Sequence, residues 1–74
     1  MPEKITASQY DEITDAENRV DEFIERLQEH TGIIAKPYTA YVYYDPCENY
    51  IGCSEVQTVW EILKEAGIEV VAAA

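Results

Sequence analysis

Residues 10–31, YDEITDAENRVDEFIERLQEHT, decide the predicted fold, because their apolar members recur at steps of three and four. That spacing places the apolar members on one side of a helix. They are Ile13, Ala16, Val20, Phe23, Ile24 and Leu27. At about 100° per residue, five acidic residues fall together on the opposite side. They are Asp11, Asp15, Glu22, Glu25 and Glu29. The stretch therefore predicts one long helix with a core-facing stripe and a carboxylate stripe.

The ends of this helix carry recognisable capping residues. Ser8 followed by Asp11 resembles a capping box and places the start near Ser8, with Thr6 as an alternative cap. His30 suits the negative end of the helix, and Gly32 supplies a left-handed cap after it. We expect residues 1–6 to form a short lead-in.

The rest of the chain predicts three strands and a second helix. The strongest strand signal is YTAYVYY at residues 38–44, which is rich in β-branched and aromatic residues. Ser54 and Gln57 have the spacing of a second capping box. In order, we expect a connector at 33–37, strands at 38–44 and 50–53, a helix from Ser54 to Gly67, a strand at 68–72, and fraying at Ala73 and Ala74.

These elements predict one α+β domain spanning residues 1–74, with the order helix, strand, strand, helix, strand. We expect a three-stranded antiparallel sheet of order 2-1-3, with strand 38–44 central and both helices on one face. A right-handed crossover that sets the last strand parallel to the second is the alternative. Ala40 and Val42 suit the face beneath the helices. Tyr41 and Tyr43 would then lie on the open face, where tyrosines favour interfaces or serve only as strand formers.

The composition is strongly acidic and restricts the choice of partner. The 74 residues include 15 acidic and five basic ones, for a net charge of −10, and 47% are hydrophobic, enough for a folded core. Such a charge disfavours direct binding to nucleic acid or to anionic membranes. It favours a basic protein surface, for example on a nucleic-acid-binding protein, or metal ions. The alternative is that acidity only keeps a small domain in solution.

The sequence predicts a cytoplasmic protein without a cofactor. No window has the length and hydropathy of a signal peptide or membrane span. Cys47 and Cys53 are expected to be reduced structural thiols, with Cys53 the more buried. A disulfide between them and a zinc site that adds His30 are the alternatives.

Residues 40–44, AYVYY, and 50–52, YIG, resemble the paired strand motifs of GIY-YIG endonucleases. The resemblance implies that Tyr43 and Tyr50 are the motif tyrosines. However, Ala40 or Tyr41 stands where the family has glycine, and the following helix lacks the family's arginine. We therefore interpret this hairpin as a coincidental match. No Ser–His–Asp or Cys–His arrangement and no glycine-rich phosphate loop is present, and we expect no enzymatic activity.

The carboxylate stripe carries the functional prediction. Along a helix it would extend about 27 Å, with acidic groups spaced about 5–10 Å apart, comparable to phosphates along nucleic acid. In size and acidity the chain is similar to phage-encoded anti-CRISPR and anti-restriction proteins, which implies a DNA-mimicking inhibitor of a nucleic-acid-binding complex. The predicted partner-binding residues are Asp11, Asp15, Glu22, Glu25 and Glu29, followed by Tyr41 and Tyr43. The alternative is a homodimeric structural or regulatory module that associates through its tyrosine-rich sheet face.

Overall fold

A computed structural model describes residues 1–72, in which three helices and five strands form an α+β fold. In chain order they are β1 (Lys4–Thr6), α1 (Ala7–Asp15), α2 (Val20–Thr31), β2 (Ile34–Pro37), β3 (Tyr41–Tyr44), β4 (Tyr50–Cys53), α3 (Val59–Glu65) and β5 (Glu69–Val71). The predicted fold class is confirmed, and the strand at 50–53 has the predicted bounds. The expected fraying of Ala73 and Ala74 lies outside the described residues.

The predicted long helix is wrong, because the chain turns at residues 16–19 and forms two helices. Ala16 ends α1, and the Arg19 amide donates to the Ala16 carbonyl at 2.8 Å within the turn. Val20 remains about half exposed, so the apolar stripe does not run through this point. Asp21 lies in the first turn of α2, where the positive end of the helix favours a carboxylate.

The first helix begins at Ala7, close to the predicted start, but its cap is Thr6, the alternative, and not Ser8. The Thr6 side chain accepts a hydrogen bond from the Gln9 amide at 3.1 Å, and the Gln9 side chain accepts one from the Thr6 amide at 2.9 Å. This reciprocal capping box satisfies two amides that would otherwise lack partners at the helix start. The expected cap at Gly32 is confirmed, with a left-handed φ of 78°.

The two helices pack side by side and run in opposite directions. The Arg26 guanidinium donates to the Glu12 carbonyl at 2.8 Å, and His30 Nε2 lies 3.3 Å from the Glu12 carboxylate. The buried residues of both helices, Ile13 on α1 and Phe23 on α2 among them, join one core. Folding back at the turn thus lets two short helices share a core, an arrangement that we call the helical hairpin.

The three-stranded sheet is antiparallel, with order β2-β3-β4, and its predicted central strand is confirmed. Its other edge differs from the prediction, because residues expected to be a connector form β2. The last strand, β5, pairs instead in parallel with β1, with Ile5 opposite Val70. Both predicted placements of the last strand are therefore wrong. β1 was not predicted because three residues are too few to show an alternating strand pattern, although Ile5 within it is buried in the core.

The faces of β3 are also the reverse of the prediction. Tyr43 is only 1% exposed and lies in the core, whereas Val42 faces the other side. Across the sheet, Ala35 on β2 and Gly52 on β4 lie opposite Tyr43. These two small neighbours leave room for the tyrosine ring on the face that α2 and α3 cover. The prediction placed the small residues of the strand itself against the helices, whereas in the structure the small residues on that face belong to the two flanking strands.

The third helix begins later than predicted. Thr58 caps it and forms a capping box with Glu61. Because the start moves from Ser54 to Thr58, Val56 lies outside the helix and is 76% exposed. The α3 residues that enter the core are Val59, Ile62 and Leu63.

Candidate functional site

Four charged side chains form a network along one side of the helical hairpin. Arg19 binds Asp15 at 3.2 Å and Glu22 at 2.7 Å. Arg26 lies 3.9 Å from Asp15 and 3.7 Å from Glu22. We call these four residues the hairpin charge cluster. Two acidic and two basic groups alternate within it, so its net charge is close to zero.

The cluster has a direct effect on ionisation. Hydrogen bonding from Arg19, followed by its positive charge, lowers the pKa of the exposed Glu22 carboxyl. The same contact raises the pKa of the Arg19 guanidinium. Glu22 therefore keeps its negative charge, but that charge is already paired. Asp15 and Glu22, two of the five predicted binding carboxylates, are neutralised within the molecule.

A second group of carboxylates lies on the solvent side of α2. Asp21, Glu25 and Glu29 follow one another at steps of four residues, and all three are exposed. Within residues 1–72 none of them forms an ion pair. Successive members are about 6 Å apart along the helix axis, given a rise of about 1.5 Å per residue. We call this row the α2 ridge.

The structure thus divides the predicted stripe between two helices. Glu25 and Glu29 lie on the α2 ridge, whereas Asp11 is exposed on α1. Asp21 was absent from the predicted set because the long-helix assignment gave it no special position. Its spacing of four residues from Glu25 was the available signal. A single continuous row of five acids, as predicted, does not exist.

A cleft of about 370 Å³ opens where the α1–α2 turn meets β3 and the segment leading to α3. Glu17 and Asn18 line it from the turn, Tyr41 and Tyr43 from β3, and Ser54 from the segment after β4. We call this the tyrosine cleft. The two predicted interface tyrosines therefore do meet at one site, but this site lies on the helix-covered side of the sheet.

The two tyrosines of the cleft have raised pKa values because they are buried near carboxylates. Burial, together with the Glu17 carboxylate, raises the pKa of Tyr43 to about 12. Burial and the Asp21 carboxylate also raise the pKa of Tyr41. The Tyr41 hydroxyl is buried without a hydrogen-bond partner in residues 1–72, while the Tyr41 amide donates to Ser54 Oγ at 2.8 Å. Both phenols are therefore neutral at ordinary pH.

The opposite side of the sheet is the open face, the position predicted for Tyr41 and Tyr43. Cross-strand partners share a face, and the partners on this side are Ile34, Lys36, Val42, Tyr44, Tyr50 and Cys53. The Tyr44 and Tyr50 rings meet edge to face at 6.3 Å, and the Lys36 ammonium lies 4.7 Å from the Tyr44 ring centre. We call it the open sheet face.

The remaining candidate residues do not assemble into a common centre. Cys47 and Cys53 are free thiols, and Cys53 is the less exposed, as predicted. Within the described residues, no group of three or more histidine, cysteine or acidic side chains could hold a metal ion. Tyr43 and Tyr50, which the GIY-YIG resemblance would pair, lie on opposite faces of the sheet.

Comparisons with protein-family models, curated proteins and solved structures find no match to this chain. Among residues 1–72, no helix is both long enough and apolar enough to cross a membrane. What the fold and surface define is an acidic α+β protein with three distinct surfaces. These are the α2 ridge, the tyrosine cleft and the open sheet face.

Proposed function

We propose that this chain is a non-enzymatic binding protein that docks onto a basic surface of a protein partner through the helical hairpin. The observation that carries the proposal is the concentration of charge there. Residues 11–29 contain eight of the 15 acidic residues and two of the five basic ones. All eight carboxylates are exposed. Charge that is laid out on a pair of packed helices is available to lysine and arginine side chains of a partner.

The α2 ridge is the proposed centre of this contact. Its three carboxylates form no ion pair with any described residue of the chain, so docking does not have to break such contacts. Asp11 contributes from α1. Asp15 and Glu22 take a lesser part than the sequence predicted, because Arg19 and Arg26 already bind them. The two arginines also restrict the direction of docking, because their positive charges repel a basic partner and leave the ridge side as its approach.

The most specific form of the proposal names the partner as a nucleic-acid-binding complex in the cytoplasm, as in anti-CRISPR-like inhibition. The α2 ridge then occupies the site on that complex that binds nucleic-acid phosphates. Carboxylates at steps of about 6 Å present fixed negative charge to arginine and lysine, as a phosphate backbone does. A net charge of −10 supports this reading, because it excludes competition by free nucleic acid for the inhibitor itself.

The test is a pull-down from nuclease-treated cell extract with three tagged proteins. These are wild type, a ridge variant (Asp21→Asn, Glu25→Gln, Glu29→Gln) and a charge-matched control (Glu55→Gln, Glu65→Gln, Glu69→Gln). We expect wild type and control to capture the same nucleic-acid-binding proteins, which added DNA or RNA displaces, and the ridge variant to lose them. Equal capture by all three proteins would contradict the proposal.

The open sheet face favours a second candidate, a homodimeric module. This face is largely apolar and its one charged member, Lys36, lies 3.7 Å from Glu48. Two chains of net charge −10 repel least where their local charge is balanced. On this reading Tyr50, which is 64% exposed, becomes buried between two copies.

Light scattering with matched tyrosine variants tests this candidate. If the open sheet face forms a dimer, Tyr50→Lys converts it to a monomer. Tyr38→Lys, at a tyrosine that is 69% exposed outside the described strands, leaves the dimer intact. A wild type that is monomeric at high micromolar concentration would remove this candidate.

A further inference from the structure

The tyrosine cleft has the charge and lining of a site for an organic cation. Glu17 is the only charged residue among those that line it. No lysine, arginine or histidine of the described chain forms an ion pair with Glu17. The volume of the cleft, about 370 Å³, lies in the range of small-ligand pockets. The cleft therefore has one uncompensated negative group and room for a small molecule or a single side chain.

Three aromatic residues are among those that line the cleft. The Phe23 and Tyr41 ring centres are 4.7 Å apart, and the Tyr41 and Tyr43 rings stack at 6.3 Å with an interplanar angle of 26°. Aromatic faces attract cations through their negative quadrupole, and arginine-type guanidinium groups also stack flat on them. Phe23 and Tyr43 are each 1% exposed, so the partly exposed Tyr41 is the ring that a planar cation beside the Glu17 carboxylate can reach.

One hydroxyl group at the cleft, that of Tyr41, lacks a hydrogen-bond partner within residues 1–72. Its oxygen is buried, and an unpaired buried polar atom is costly unless something binds it. The Glu17 carboxylate also raises the pKa of Tyr43, after burial, so the phenol experiences the negative potential of the cleft. The potential that disfavours a phenolate favours a bound cation. A guanidinium has five N–H donors and no acceptor, which matches these groups.

We propose that the tyrosine cleft binds an alkyl-guanidinium group, with Glu17 as its counter-ion, the Tyr41 ring, which Phe23 and Tyr43 support from the core, as its aromatic wall, and the Tyr41 hydroxyl as an acceptor. This site goes beyond docking by the α2 ridge, because it binds its ligand whether or not the ridge has a partner. The group is either a free small guanidine or an arginine side chain that a polypeptide inserts.

Titration with n-propylguanidine, followed by amide chemical shifts in ¹H–¹⁵N spectra, tests the site. We expect saturable shifts at Asn18, Ser54 and Gln57, which line the cleft, and none of that size with n-propylurea, the neutral molecule of the same shape. Glu17→Gln weakens binding by about tenfold or more, since a charge-assisted hydrogen bond is lost. Glu65→Gln, which removes the same charge on α3, leaves the affinity within about twofold because exposed charges at a distance are screened.

Tyr41→Phe separates binding from folding. It weakens n-propylguanidine binding several-fold while the folded spectrum is retained. The proposal is overturned if n-propylurea binds as well as n-propylguanidine, if the shifts map elsewhere, or if Glu17→Gln and Glu65→Gln bind equally well.

A second titration, with a short arginine peptide, distinguishes the two sources of the guanidinium. Acetyl-Gly-Arg-Gly-amide binding at least as tightly as n-propylguanidine assigns the site to an arginine of a polypeptide. Binding of n-propylguanidine with exclusion of the peptide assigns it to a free small molecule. Absence of binding by both overturns the site, and the docking proposal for the α2 ridge would remain to be judged by its own pull-down.

Discussion

Tyr43 shows how a single residue can be assigned correctly to a strand and wrongly to a face. The alternation within β3 separated Tyr41 and Tyr43 from Val42, as observed. Which set enters the core depends on cross-strand neighbours that the sequence of one strand does not reveal. Ala35 and Gly52 lie beside Tyr43 and determine the outcome. A Cβ at Gly52 would meet the Gln57 side chain and, at 2.7 Å, the Ile62 side chain, so a larger residue there would displace the ends of both.

The alkaline limit of stability is expected to depend on Tyr43. Its pKa is about 12 in the folded protein, whereas an unfolded tyrosine titrates near 10. The unfolded state therefore releases this proton first. The stabilisation is complete below about pH 10 and is lost as pH rises from about 10 to 12. Urea unfolding at several pH values checks this, with Tyr43→Phe as the variant that lacks the group. A parallel loss of stability in both proteins would show that Tyr43 is not responsible.

The unpartnered hydroxyl of Tyr41 predicts an unusual stability effect. Tyr41→Phe removes a buried polar atom that has no hydrogen bond in residues 1–72, so the free energy of unfolding rises by about 1 kcal/mol. Tyr38→Phe is the control, since Tyr38 is exposed, and its effect stays within about 0.5 kcal/mol. Chemical denaturation measures both. A less stable Tyr41→Phe would mean that the hydroxyl is well paired in solution.

At the scale of elements, the sequence predicted the central strands of the sheet but not the point at which the first helical stretch breaks into two helices. Period and composition identified β3, β4 and the C-terminal end of α2 to within a few residues, and placed the start of α3 about one turn too early. The break between α1 and α2 was missed because the apolar spacing continues across it, from Ala16 to Val20. The short strands β1 and β5 pair with each other across nearly the whole chain. Three-residue strands carry too little pattern for that pairing to be predicted.

The position of the first helix cap gives a prediction at the element scale. Thr6→Ala removes the side-chain acceptor of the capping box and lowers the free energy of unfolding by about 1 kcal/mol. Ser8→Ala, at an exposed position inside α1, changes it by no more than about 0.5 kcal/mol. Thermal or urea unfolding of the two variants distinguishes them. The reverse order of effects would restore the cap that the sequence suggested.

The candidate site was only partly predictable. Glu25 and Glu29 follow from helical spacing alone, and their exposure is as expected. The pairing of Asp15 and Glu22 with Arg19 and Arg26 depends on the turn that folds α1 against α2. For the same reason, no linear pattern indicated that Glu17 would join two tyrosines from β3 in one cleft.

At the scale of the whole molecule, charge is distributed unevenly. The helical hairpin carries most of the acidic excess, whereas the open sheet face has one charged member, which lies beside an acidic partner. Within residues 1–72 of the chain, the hairpin charge cluster pairs Asp15 and Glu22, whereas the three carboxylates of the α2 ridge are among those without an ion pair. The molecule therefore presents a negative side and a nearly neutral, apolar side.

The association rate of the captured partner, measured as a function of salt concentration, tests the central claim most directly. For wild type and for the control triple variant at Glu55, Glu65 and Glu69, the rate should fall steeply and equally with added salt. For the triple variant of the α2 ridge, the rate at low salt should be lower by about tenfold or more and its salt dependence weaker. Identical rates and slopes for the ridge and control variants would contradict docking through the ridge.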